Sequence, residues 1–136
     1  MGLFRMLFRR MAISAVVAML MLMFCPGIAS ASVFQAVDLE APGGQLTGTL
    51  MWTGLYSFEL HNMALMDTAC DRQPLFFSVS YNGHTGPLHY NNSGCATTTS
   101  FPTLEGADTS EISSVTINVC RGVPALQCEK LVYNSL

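Results

Sequence analysis

The sequence predicts an all-β protein, a small antiparallel β-sandwich of about seven short strands with two disulfides. Three observations predict this fold class. Apolar residues recur mostly at every second position, and glycine, proline and asparagine separate the apolar segments. The chain after residue 31 also contains an even number of cysteines, which is typical of a small disulfide-bonded domain.

Residues 1–31 are predicted to be a secretory signal peptide rather than part of the fold. Three arginines precede an apolar run over residues 11–24, Pro26 interrupts the run, and small residues follow up to Ala31. Cleavage after Ala31 leaves residues 32–136, 105 residues that fit a single β-sandwich domain. The apolar run is shorter than the roughly 20 residues of a membrane span, so we expect no membrane association after cleavage. The protein is therefore expected to be secreted and extracellular.

The charge of residues 32–136 argues against two classes of partner. This segment has three basic residues against nine acidic ones, a formal net charge of −6. Nucleic-acid binding and binding to anionic membranes both rest on clustered lysine and arginine. Three scattered cations do not form such a cluster, so we expect neither partner.

The first three predicted strands lie between residues 33 and 60. One begins at Val33 and ends before Pro42, and the second covers residues 45–53 and ends at Gly54. The third covers residues 55–60, where tyrosine, phenylalanine and leucine alternate with serine and glutamate. Such alternation predicts strands with one buried face.

The remaining strands are predicted in the second half of the chain, at residues 75–81, 88–90, 115–119 and 131–133. The pair Asn82-Gly83 after the first of them is a strong signal for a hairpin turn. Residues 59–72 alone have apolar residues at helical spacing, so a helix there stays an alternative. The sequence does not determine the order of the strands.

The four cysteines after residue 31 are predicted to form two disulfides. They are Cys70, Cys95, Cys120 and Cys128. Four cysteines permit three pairings. We favour Cys70–Cys95 with Cys120–Cys128, because pairing between near neighbours is usual in small β domains and the second link joins the last two strands.

Several short motifs resemble a group of small secreted β proteins of actinobacteria. They are Cys70-Asp71-Arg72, Asn92-Ser93-Gly94-Cys95, Val119-Cys120 and, after Cys128, Tyr133-Asn134. Ser135 stands where that group usually has proline. Some members of the group are similar to the ring-forming adaptor of umbrella-shaped antibacterial toxin particles. The resemblance implies a non-catalytic role in an extracellular assembly.

The histidines and the single tryptophan of residues 32–136 suggest two alternative functions, a hydrolase and a carbohydrate-binding protein. Any of the histidines His61, His84 and His89 could serve a small secreted hydrolase, although no nucleophile motif accompanies them. Trp52 is a candidate for stacking on a sugar ring, as in a carbohydrate- or cell-wall-binding protein. No spacing typical of a metal site is present, so we expect no catalytic residues, no metal and no cofactor.

Two apolar stretches are the candidate partner-binding residues. Consecutive apolar residues in a strand point to opposite faces, and a two-layer sandwich buries one face of each sheet. We therefore expect some of Met63, Leu65, Met66 and Phe76 to be exposed. The sequence favours a secreted, non-catalytic protein-binding or adaptor module, and its partner is expected to be another secreted protein or a second copy of the chain.

Overall fold

The computed structural model describes residues 32–122 and 126–135. These residues form ten strands and no helix. The strands are β1 (Val33–Ala41), β2 (Gly44–Gly54), β3 (Ser57–Asp67), β4 (Leu75–Tyr81), β5 (His84–Thr85), β6 (His89–Asn91), β7 (Thr98–Ser100), β8 (Leu104–Ala107), β9 (Ser114–Arg121) and β10 (Gln127–Asn134). The predicted all-β class is confirmed, and no helix long and apolar enough to cross a membrane occurs in this part of the chain.

The strands form two antiparallel sheets. Sheet A has the order β1-β2-β3, with β7 and β8 both paired to the far edge of β3. Sheet B has the order β10-β9-β4, with β5 and β6 both paired to the far edge of β4. The predicted strands correspond to β1–β4, β6, β9 and β10, although those at 55–60 and 88–90 start two residues and one residue too early, whereas β5, β7 and β8 have no predicted counterpart. These three strands have two to four residues, too few for an alternating pattern to appear.

One apolar cluster between the sheets forms the core. Its fully buried members come from both sheets, and they include Leu50, Leu60, Phe77, Val115 and Ile117. Phe77 on β4 meets Phe101 edge to face, with ring centroids 5.1 Å apart. Side chains at alternate positions of each strand therefore interdigitate as in a sandwich.

A bulge in β3 explains the helical spacing in residues 59–72. The register with β2 shifts between Thr47 and Thr49, and Asn62 at this point has a positive φ of 53°. The extra residue changes the inward positions from Phe58 and Leu60 to Met63 and Leu65. The spacing of three between Leu60 and Met63 is therefore the result of a bulge in a strand.

Both predicted disulfides are confirmed. Cys70–Cys95 joins the segment after β3 to the segment after β6, with the Cα atoms 4.7 Å apart. Cys120–Cys128 joins β9 to β10 at directly opposite positions. Disulfides form in oxidising compartments, so this covalent framework indicates an oxidising environment.

The predicted hairpin turn at Asn82-Gly83 is also confirmed. Both residues have positive φ angles, 45° and 77°, as a type I′ turn requires. The Asn82 amide donates hydrogen bonds to the Asp108 carboxylate and to the Glu111 carbonyl, at 3.1 and 3.0 Å. The turn is thereby attached to the loop after β8.

Candidate functional site

A row of four side chains crosses the outer face of sheet B. Cys128 is opposite Cys120, Cys120 is opposite Phe76, and Phe76 is opposite Tyr90. These positions alternate with the core residues of the same strands, so the four side chains share the outer face. We call Phe76, Tyr90 and the Cys120–Cys128 disulfide the Tyr90 patch.

Phe76 lies on the outer face, as the alternation predicted, but it is not exposed. Only 8 % of its surface is accessible, and its ring centroid lies 5.2 Å from that of Tyr90. Tyr90 keeps 39 % of its own surface exposed. The prediction of Phe76 as an accessible contact residue is wrong, because Tyr90 and the opposing cysteine cover it. The accessible aromatic residue on this part of the face is Tyr90.

The other three candidate partner-binding residues do not join this surface. Met63 and Leu65 are fully buried in the core, because the bulge at Asn62 turns both of them inward. The choice of Met63 and Leu65 as candidate partner-binding residues is therefore wrong. Met66 is exposed, but it lies on sheet A. The four predicted residues therefore do not form one binding surface.

Trp52 is not a stacking platform. Its side chain belongs to the core cluster with 8 % exposure, and it meets Phe58 edge to face at 6.2 Å. Its indole N–H donates a hydrogen bond to the Gln35 amide oxygen at 3.1 Å. The ring packs against Phe58 in the core and its N–H is bonded to Gln35, so no free ring face is left for a sugar. The structure therefore contradicts the choice of Trp52 for sugar stacking.

The outer faces of the two sheets differ in charge. Four carboxylates occupy outward positions of sheet A, namely Asp38, Glu40, Glu59 and Glu105. The outward positions of β4, β9 and β10 in sheet B carry mainly serine, threonine, asparagine and the Tyr90 patch. Among the described residues at those positions, Lys130 is the one charged side chain. Sheet B therefore presents a nearly uncharged outer face on an acidic protein.

Hydrogen bonds of Asn91 hold the strand that carries Tyr90. The buried Asn91 amide donates to the carbonyls of Leu65 and Thr97, both at 2.9 Å. Its amide oxygen accepts from the Ser93 N–H at 2.9 Å and from the Thr99 hydroxyl at 3.1 Å. β6 is thus anchored to sheet A, and the position of Tyr90 is set in the folded state.

A buried arginine holds the end of the sandwich next to the Tyr90 patch. Arg121 donates hydrogen bonds to the carboxylates of Asp67 and Asp71 and to the carbonyls of Gly43 and Ala69. The hydrogen bond from Arg121 lowers the pKa of Asp71, and the same bond raises the pKa of Arg121. This network connects both sheets to the loop that contains Cys70.

Arg72 follows this network and is exposed. Its backbone is left-handed, with φ at 61°, which is uncommon for a residue other than glycine. It lines a groove of about 490 Å³ together with Tyr90, Asn92 and the Cys70–Cys95 disulfide. Within the described chain, no acidic side chain forms an ion pair with Arg72. Among residues 32–122 and 126–135, Arg72 and Lys130 are thus the two exposed cations available to a partner.

The three histidines lie in three different environments. His61 is 2.7 Å from the Glu59 carboxylate and 3.4 Å from the Thr103 hydroxyl. His84 lies 3.6 Å from the Asp108 carboxylate. His89 stacks on Phe77 inside the edge of the sandwich. No group of three or more metal-ligating side chains occurs among residues 32–122 and 126–135.

No protein-family model matches the chain, and comparison with curated proteins and with solved structures found no match to it.

Proposed function

We propose that this protein is a secreted, non-catalytic binding module whose partner protein contacts the outer face of sheet B at the Tyr90 patch. The observation that supports this proposal is the charge distribution. The outward positions of β4 and β9 carry no charge, whereas the opposite face carries four carboxylates. Interface cores are depleted of charge and enriched in tyrosine and phenylalanine.

The geometry of Tyr90 suits an anchor residue. Its ring rests against buried Phe76, and the next residue, Asn91, is anchored by hydrogen bonds to the other sheet. An anchor that is ordered before binding loses little conformational entropy when the partner arrives. Tyrosine is also among the residues that most often dominate binding energy at interfaces.

The exposed cations indicate the chemistry of the partner. Arg72 lines the groove beside Tyr90, and Lys130 lies on the outer face of β10. A complementary surface has an apolar centre with carboxylates at its margin. We therefore expect a different secreted protein with an acidic rim rather than a second copy of this chain. Membership of an extracellular toxin assembly is a further prediction, and it rests on the resemblance of the cysteine motifs alone.

The experiment compares two exposed aromatic residues on opposite faces. The tagged protein is purified from the culture medium, co-purifying proteins are identified by mass spectrometry, and affinity is measured with the purified partner. We expect Tyr90→Ser to weaken binding at least about 30-fold, which corresponds to a hot spot of about 2 kcal/mol. The matched control is Phe34→Ser on sheet A, where Phe34 is 63 % exposed. We expect that control to bind as the unchanged protein does.

Two results would contradict this proposal. One is equal binding by Tyr90→Ser and the unchanged protein, with loss of binding in Phe34→Ser. The other is retention on cell walls or glycans without any protein partner, which favours the carbohydrate-binding alternative. Self-association seen by light scattering, and abolished by Tyr90→Ser, would replace the expected partner by a second copy.

One observation favours the hydrolase as a second candidate. The Thr103 hydroxyl, the His61 ring and the Glu59 carboxylate follow one another within hydrogen-bonding distance, in the order of a nucleophile, a base and an orienting acid. The histidine and the glutamate are each about one-third exposed. The test is hydrolysis of an activated ester such as p-nitrophenyl acetate. Activity that Thr103→Val removes and that His84→Gln leaves intact would establish the hydrolase.

A further inference from the structure

A cleft opens where both sheets end on the same side of the sandwich. Sheet A ends there with β8 and sheet B with β5 and β6, and these strands are only two to four residues long. A gap therefore remains between the two sheets at this end. The cleft has a volume of about 410 Å³ and is lined by Phe58, Leu60, Val79, Tyr81, His89 and Leu104. This volume lies in the range of pockets for small molecules.

Tyr81 and Leu104 provide the apolar surface of the cleft. Both are partly buried and pack against the core, which includes Phe58, Leu60 and Val79. Tyr81 meets Phe58 edge to face with ring centroids 5.1 Å apart, and its hydroxyl donates a hydrogen bond to the Ala107 carbonyl at 3.4 Å. A flat apolar ring therefore fits the chemistry of this lining.

His89 is a polar side chain of the cleft whose ring nitrogens have no hydrogen-bond partner among the described residues. Its ring lies between Phe77, with a centroid distance of 4.8 Å, and Phe101, at 5.6 Å. No described residue forms a hydrogen bond with its nitrogens, whereas His61 and His84 both have carboxylate partners. No fully buried side-chain nitrogen or oxygen in the described chain lacks a partner, so an unpaired nitrogen of His89 is accessible.

Charge limits which ligand the cleft accepts. Burial lowers the pKa of His89, so its imidazole is uncharged at neutral pH and offers no cation to an anionic ligand. Glu105 also lines the cleft, and it is directly opposite Glu59 in the pairing of β8 with β3. Both side chains lie on the outer face of sheet A at this end of the sandwich, where their negative charge disfavours an approaching anion. A neutral ligand meets neither obstacle.

We infer that this cleft binds a small, neutral ring compound whose hydroxyl group forms a hydrogen bond with His89. The ring packs on Tyr81 and Leu104, which are partly exposed and lie over the buried core, and the hydroxyl pairs with the open imidazole nitrogen. This inference is independent of the proposed function, because the cleft lies between the sheets and the Tyr90 patch lies on the outer face of sheet B.

The test is an NMR titration of the oxidised, ¹⁵N-labelled protein with single-ring probes. We expect p-cresol to cause saturable shifts of the Val79, Tyr81 and Leu104 amides at millimolar concentration. Toluene, which lacks the hydroxyl, should bind roughly five- to tenfold more weakly because it forms no hydrogen bond with His89. Benzoate should bind at least tenfold more weakly than p-cresol because it is an anion.

Matched histidine variants identify the hydrogen bond. His89→Leu should reduce the affinity for p-cresol to that for toluene, whereas His84→Leu, which alters a histidine outside the cleft, should have no effect. His89→Gln keeps a hydrogen-bonding group and serves if His89→Leu fails to fold. Tyr90→Ser should bind p-cresol normally, which separates this test from the test of the proposed function.

Several outcomes would overturn the inference. They are the absence of saturable shifts, shifts confined to residues around Tyr90, and an unchanged affinity for p-cresol in a folded His89→Leu variant. Tighter binding of benzylamine than of p-cresol would also overturn it, because the carboxylates rather than His89 would then select the ligand.

Discussion

At the scale of single residues, Arg121 has the most connections of any charged group described in the chain. Only 4 % of its surface is exposed, and each of its hydrogen bonds has a partner on another segment. A buried charge is tolerated only where it is paired and fully hydrogen-bonded. Asp67, which is also buried, depends on Arg121 for its counter-charge.

We predict that Arg121→Met destabilises the protein by about 3–5 kcal/mol, the usual cost of leaving one member of a buried ion pair uncompensated. Exposed Arg72 provides the matched control, and Arg72→Met should change the free energy of unfolding by less than about 0.5 kcal/mol. Urea unfolding with both disulfides intact measures the difference. Similar stabilities of the two variants would contradict a structural role for the Arg121 network.

A second prediction at this scale concerns pH. Burial lowers the pKa of His89 below its ordinary value of 6.5, so the unfolded chain takes up this proton at a higher pH than the folded protein does. The free energy of unfolding should therefore decrease as the pH falls from about 6.5 towards the lower folded-state pKa. Protonation of Asp71 and Asp108, whose pKa values are lowered by hydrogen bonds, destabilises the fold only in the more acidic carboxylate range.

His89→Gln should reduce this loss of stability between about pH 6.5 and 5, since glutamine does not titrate. Urea unfolding of both proteins at several pH values provides the measurement. If the two curves stay parallel across this range, the imidazole of His89 is not protected from protonation in the folded protein.

At the scale of elements, β3 shows where a local pattern misleads. The residues that alternate on either side of Asn62 are ordinary strand residues, but the bulge adds one position between Leu60 and Met63. In a strand, inward residues are two positions apart, and one extra residue makes this spacing three. A spacing of three resembles that of a helix over this interval. The sequence therefore left strand and helix both open here, although it predicted the strands before and after this segment.

The two disulfides connect elements in different ways, which leads to a third prediction. Cys70–Cys95 closes a span of 25 residues between two loops, whereas Cys120–Cys128 closes a span of 8 between strands already paired. The chain-entropy model assigns about 3.5 kcal/mol to the first and about 2.5 kcal/mol to the second. Thermal unfolding of Cys70→Ser/Cys95→Ser should therefore show the larger loss of stability. The opposite order would mean that the paired strands depend on their cross-link.

At the scale of the whole molecule, the segregation of charge gives the two outer faces different properties. Acidic side chains keep the outer face of sheet A well solvated, whereas sheet B exposes an aromatic ring among small polar residues. Face composition of this kind depends on which strands share a sheet. The sequence showed an acidic chain, but it did not show that one face is almost free of charge.

The last prediction concerns the full chain. The order of arginines, apolar run and small residues in the first 31 positions predicts export followed by cleavage between Ala31 and Ser32. Mass spectrometry of the protein in the medium should give Ser32 as its first residue and two disulfides with no free thiol. A form that stays in the membrane and begins at Cys25 would show instead that Cys25 anchors the protein.

The sequence by itself predicted the all-β class and the Asn82-Gly83 turn and favoured the observed cysteine pairs among three possible sets, because alternation, turn chemistry and cysteine spacing are local properties of the chain. Only the tertiary structure decided which apolar residues are covered and which charges are paired. Phe76 is buried because β6 brings Tyr90 beside it, and Arg121 bonds to Asp67 across a separation of 54 residues. Burial and electrostatics depend on neighbours that are distant in the chain, and strand order alone brings them together.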